Sequence, residues 1–102
     1  MIVSAGNQET FAFAKSIGVG LVNSAINLTK ICLFNRPEFI LFIGSAGSYG
    51  NHNIFDIVEA KNSSNIELSF LQNFSYTPID NAVRIDTALT NSEVIVNSSN
   101  YI

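Results

Sequence analysis

Glu38-Phe39-Ile40-Leu41-Phe42-Ile43-Gly44-Ser45-Ala46-Gly47 is the stretch on which the fold of this chain turns. Five consecutive apolar residues, Phe39 to Ile43, suit a strand buried on both faces, as in a parallel sheet. The run stops at four residues with almost no side chain. Gly44, Ser45, Ala46 and Gly47 let a ligand approach the backbone at the carboxyl end of a strand, where open α/β sheets bind their ligands. Gly44 shapes this loop, and Ser45, Ala46 and Gly47 are the candidate ligand contacts.

Upstream, Leu21 to Phe34 reads as a helix, with Asn23, Asn27 and Lys30 as a polar stripe and Leu21, Ala25, Leu28 and Cys32 on the opposite, packed side. Asn35-Arg36-Pro37 ends it, because the residue before proline avoids the α region. Phe11 to Ile17 reads as the preceding strand, joined to the helix by a tight turn shaped by Gly18 and Gly20. Strand, turn, helix and strand make one βαβ unit. Met1 to Ala5 is a short apolar start, broken at Gly6-Asn7-Gln8-Glu9. Downstream, Ile54–Ala60 reads as a strand, residues 62–65 as a turn, and Ile66–Phe70, Ala82–Ile85 and Val94–Val96 as shorter strands. Such a sheet needs helices over both faces, yet the pattern yields one convincing helix. The expectation is an α/β fold: part of a three-layer α/β/α domain with a mixed, largely parallel sheet. A single, incomplete domain spans 1–102.

Composition narrows the partners. The 102 residues are 47% hydrophobic and 13% charged, with net charge −3. Five scattered basic residues form no stripe to neutralise phosphates, so nucleic acid is not an expected partner. No apolar run reaches the length of a membrane span, and the N-terminus lacks the basic region of a secretory leader, so no membrane partner is expected and the cytoplasm is the default. Cys32, the single cysteine, reads as a small buried hydrophobe, and nothing resembles a metal-ligand spacing. No cofactor is called for. His52, among asparagines, reads as a surface residue.

Gly18-Val19-Gly20 between strand and helix invites a dinucleotide-binding reading. The third glycine position is Asn23, and Glu38 precedes its strand rather than ending one, so the fingerprint is partial.

The order of features is more specific than any single one. Lys15-Ser16-Ile17-Gly18-Val19-Gly20, a helix, Arg36-Pro37, Ile40 to Gly47 and then Asp56-Ile57-Val58 together resemble the nucleoside phosphorylase superfamily, and most the bacterial methylthioadenosine/adenosylhomocysteine nucleosidases. The likeness runs over residues 11–60 and, loosely, 94–102. It implies a ligand of the purine nucleoside class, cleavage of the purine–ribose bond, and ligand contacts from Ser45, Ala46 and Gly47. It also implies a water-activating glutamate soon after the first strand, a role that falls on Glu9. The related phosphorylases carry an arginine two residues before the loop's first glycine. Phe42 stands here and cannot hold phosphate by charge-assisted hydrogen bonds, which favours hydrolysis or inactivity. Phe55 replaces another family glycine. The family's ribose-binding Met-Glu motif and purine-protonating aspartate fall beyond the matched region, and Asp80 and Asp86 come too early to supply the acid.

The resemblance therefore implies a shortened member with its C-terminal half missing, weakly active or inactive alone, and associated with itself or with a completing chain. The alternative is a non-catalytic α/β binding or assembly module.

Overall fold

The computed structural model describes residues 1–77, 81–85 and 94–99. It is an α/β structure of two units, Met1–Gly47 and Ser48–Ile102.

In the first unit β1 (Ile2–Ser4), β2 (Lys15–Ser16) and β3 (Leu41–Phe42) form a parallel sheet in the order β2-β1-β3. The apolar start is thus the central strand. The crossover from β2 to β3 runs through helix α1 (Leu21–Asn35). Val3 is paired with Lys15 on one side and Phe42 on the other, and Ser4 with Ser16. Backbone bonds extend the pairing past the short strands, from Leu41 N to Met1 O and from Ile43 N to Val3 O, each 2.9 Å.

The core is small. Val3, Ile17 and Ile31 are buried, with Leu28 and Ile40 packed against them. At about 1.5–3 kcal/mol per fully buried aliphatic side chain, each of the three matters to the unit.

The helix presents a different face from the expected one. Ser24, Asn27, Leu28 and Ile31, at i, i+3, i+4 and i+7, are its least exposed residues. Asn27 turns inward because its Nδ2 donates to Ile17 O at 2.7 Å, satisfying a carbonyl just past β2. Cys32, expected on the packed side, is exposed for the same reason. The helix ends as expected, with Arg36 in the left-handed region at φ 44 before Pro37.

Two further expectations are corrected in this unit. Phe39–Ile43 is not buried on both faces, since Leu41 is 46% and Phe42 57% exposed. Only one helix lies over this three-stranded sheet, and so short a sheet leaves apolar residues uncovered. The strand expected over Phe11–Ile17 shrinks to Lys15–Ser16, because Ala14 N bonds to Phe11 O and closes a turn, with the Phe11 and Phe13 rings stacked at 5.5 Å.

The second unit has a mixed sheet, β5-β4-β6, built from β4 (Asn62–Ser64), β5 (Ala82–Arg84) and β6 (Ile95–Asn97). β4 pairs antiparallel with β5 and parallel with β6. β5 and β6 fall where strands are expected. The centre of the sheet, however, is the stretch expected as a turn. Asn97 explains it: its Oδ1 accepts from Ser64 Oγ at 2.7 Å and from Ile66 N at 2.8 Å, and its Nδ2 donates to Ile66 O at 3.0 Å. Asn65 Nδ2 adds a bond to Ser98 O at 2.5 Å. These long-range bonds outweigh the weak strand preference of Asn and Ser.

The expected strand Ile54–Ala60 is absent. Asn53 N donates to Asp56 Oδ2 at 2.8 Å and Asp56 N to Asn53 O at 3.1 Å, while Phe55 adopts φ 73. Such local side-chain bonds compete with a strand ladder. The expected strand Ile66–Phe70 is replaced by the one-turn helix α2 (Leu68–Leu71), with Phe70 N bonded to Glu67 O at 3.0 Å. Asp80, Asp86 and residues 100–102 lie outside the described residues.

Candidate functional site

Because β1, β2 and β3 run parallel, the segments after them leave the sheet at one end. Residues 5–9 leave the central strand, flanked by the Gly18–Gly20 turn and the Gly44–Gly47 loop. Ile17 N bonds to Ser4 O at 2.9 Å and Gly18 N to Ala5 O at 3.0 Å, which binds the β2 exit to the β1 exit. In the β1 exit, Gly6 O accepts from Glu9 N at 3.0 Å, and Asn7 adopts φ 59. This turn swings the Glu9 side chain across to the third strand.

There Glu9 meets Ser45, thirty-six residues later. Ser45 N donates to Glu9 Oε1 at 3.0 Å, and Ser45 Oγ donates to the same oxygen in a very short bond. The hydroxyl, then the backbone N–H, hold the Glu9 carboxyl below its ordinary value of 4.5, against a smaller opposing effect of burial. Gly44 makes the approach possible, since a Cβ there would lie 2.9 Å from Glu9 Oε2 and 3.1 Å from a Phe42 ring carbon.

The other candidates separate by position. Ala46 and Gly47 follow Ser45 on the exposed loop, and a Cβ at Gly47 would meet nothing within 4 Å. Gly18 and Gly20 shape the β2–α1 turn, as expected, at φ 98 and φ 87. A Cβ on Gly18 would meet the Asn23 Cβ at 2.8 Å, whereas Gly20 has open space around it. Gly20 O then accepts from Ser24 N and Ser24 Oγ as α1 begins.

Phe42, two residues before Gly44, is 57% exposed and offers no polar atom to an anion. His52 belongs to the second unit, where its Nδ1 lies 3.9 Å from Asp56 Oδ2, both side chains about half exposed. Among the described residues no three His, Cys, Asp or Glu side chains cluster as metal ligands, and no helix is long and apolar enough to cross a membrane.

No family model, curated protein or solved structure matches the chain. The site is therefore read from its own geometry.

That geometry is a half-exposed carboxylate, held ionised, with Oε1 engaged by Ser45 and Oε2 turned to Gly44. A carboxylate so held can accept a proton or a hydroxyl donor at its second oxygen. Two residues of the site are not apparent from sequence patterning. Asn27 ties α1 to the β2 exit, and the signal for it was the i, i+3, i+4, i+7 set with Ser24, Leu28 and Ile31. Ser4, at the end of the central strand, is fully buried, and its Oγ has no hydrogen-bond partner. An unsatisfied buried hydroxyl costs about 1–3 kcal/mol, and only its polar identity within an apolar strand marked it.

Proposed function

We propose that the first unit is a nucleoside-binding half-site of the nucleoside phosphorylase type, within a three-layer α/β/α architecture of which this chain supplies one part. One observation carries the reading. Glu9 and Ser45, assigned from sequence to water activation and ligand contact, share a hydrogen bond at the carboxyl ends of parallel strands. The ligand class is the purine nucleosides and their thio-analogues. Ser45, Ala46 and Gly47 contact the ligand, and Glu9 orders a water or a ribose hydroxyl through its second oxygen.

The chemistry, where it occurs, is hydrolysis of the purine–ribose bond. An oxocarbenium-like ribose needs a nucleophile and a protonated leaving base. Glu9 can serve the nucleophile. No residue of the site serves the base, so the chain alone turns over weakly or not at all. Phe42 leaves phosphate without a charged partner, so added phosphate makes no difference.

The test is calorimetric binding of adenosine and 5′-methylthioadenosine, with adenine release followed in parallel with and without phosphate. Binding that falls at least about tenfold in Ser45→Ala, roughly the worth of one hydrogen bond to the ligand, supports the reading. Absence of nucleoside binding, or base release that depends on phosphate, refutes it.

A second reading is favoured by the exposed apolar side chains of the same unit. Phe13 is 66%, Leu33 67%, Phe34 83% and Phe42 57% exposed. A non-catalytic assembly module that covers these residues with another copy, or with a completing chain, accounts for them. Sedimentation velocity across a concentration series tests the assembly itself: a species whose size is constant and monomeric excludes self-association.

A further inference from the structure

We infer that the channel between the open edge of β2 and the C-terminal half of α1 binds a small anion carrying a flat apolar body. This site does not rest on the nucleoside reading, because none of its residues belongs to residues 44–47. The channel has a volume of about 250 Å³ and is lined by Lys15 and Ser16 of β2 and by Asn27, Lys30, Ile31 and Phe34 of α1. It sits at an edge because β2 has a strand neighbour on one side only.

Charge is the first argument. The chain carries net charge −3 and five basic residues, yet two of those five line this one channel, and among the described residues no carboxylate does. Among the described residues neither Lys15 nor Lys30 has an ion-pair partner. An open groove lined with charge of one sign raises the local concentration of the opposite ion. The C-terminal end of α1 opposes this with roughly half a negative charge, and two ammonium groups exceed it.

The wall chemistry then sets the rest of the ligand. Ile31 is buried at the back, and Phe34 stands 83% exposed at the rim, free to stack on a flat ring. Asn27 spends its Nδ2 on Ile17 O, so the two ammonium groups are left as the charged donors of the channel. The volume lies below the range of about 300–1,000 Å³ of pockets for drug-sized molecules, so the occupant is one ring and one anionic group. Phosphate monoester and carboxylate share that chemistry.

The experiment is a titration of the full chain with phenyl phosphate, benzoate and, as the uncharged control, benzyl alcohol, followed by amide NMR shifts. Saturable shifts are expected with both anions at Lys15, Ser16, Lys30, Ile31 and Phe34, with phenyl phosphate the tighter. Benzyl alcohol is expected to give none at the same concentrations. The double variant Lys15→Gln/Lys30→Gln should raise Kd about tenfold or more, as two surface charges a few ångströms from an anion would. Both lysines are exposed, so the variant keeps the fold, and an unchanged far-UV spectrum checks it. If neither anion gives saturable shifts here, if benzyl alcohol binds equally, or if the double variant binds as the parent does, the inference is wrong.

Discussion

The two sheets have the same number of strands and are held by opposite means. The sheet of residues 1–47 is parallel and rests on apolar packing, with Val3 and Ile17 buried against Ile31 of α1. The sheet of residues 48–102 is mixed, and its described buried residue is a serine, Ser64, bonded to Asn97. In the first unit apolar contacts do the holding, and the polar pair Glu9–Ser45 stands outside that packing at the strand ends. In the second the polar side chains are consumed by the architecture. Polar residues thus mean different things in the two halves, and substitutions can test that difference.

Ile31→Ala is expected to have the largest effect. Removing a buried aliphatic side chain costs about 2–5 kcal/mol, and this core has two other buried members to absorb the loss. Denaturant unfolding read at the Val3 and Ile17 amides checks it. A loss under 1 kcal/mol would mean that apolar packing does not hold this sheet.

Gly18→Ala ranks next. It forces a side chain into φ 98 and brings its Cβ to 2.8 Å from the Asn23 Cβ. A cost of about 1–3 kcal/mol is expected from the backbone alone, with the contact added. Gly20→Ala, at φ 87 in open space, isolates the backbone part. The Gly18 variant should therefore be the less stable of the two by thermal melting, and equal melting would deny the contact with the helix.

Asn97→Ala follows, at about 1–2 kcal/mol. It removes three bonds, each worth about 0.5 kcal/mol net in these largely exposed surroundings. Faster hydrogen exchange at Ile66 and across β4 is the readout. Unchanged exchange there would leave the second sheet without its assigned support.

The same contrast explains what was legible in the sequence. Helix α1, its end at Arg36-Pro37 and strand β3 followed from apolar runs and punctuating residues, which are local signals. β4 did not, because Asn62-Ser63-Ser64 becomes a strand through Asn97, thirty-three to thirty-five residues away. Asp56 worked the other way, with local bonds to Asn53 undoing an apolar run that reads as strand. At the candidate site the residue types were readable and the resemblance offered separate roles for Glu9 and Ser45, but their contact was not expected. Glu9 reaches Ser45 through the turn at Gly6–Glu9, and no periodicity encodes that reach.

Ser45→Ala should have the smallest effect on stability, and it separates a site from a scaffold. The Glu9 carboxyl is held below 4.5 chiefly by the Ser45 hydroxyl and next by the Ser45 N–H. The variant keeps the N–H, so the Glu9 pKa should rise part of the way toward its ordinary value, read by carboxyl NMR through a pH titration. The sign for stability follows from linkage. A carboxyl whose folded pKa is depressed adds stability above its unfolded pKa and loses it as pH falls through the folded value. The parent and the variant should therefore differ above about pH 4.5 and converge in more acidic solution. Because Glu9 is partly exposed, solvent screening keeps that difference below about 1 kcal/mol. A larger loss, on the scale of Asn97→Ala, would make Glu9–Ser45 another architectural clamp and erase the distinction between the two halves. A small loss with a clear pKa rise would leave the pair as groups that the fold holds ready without depending on them.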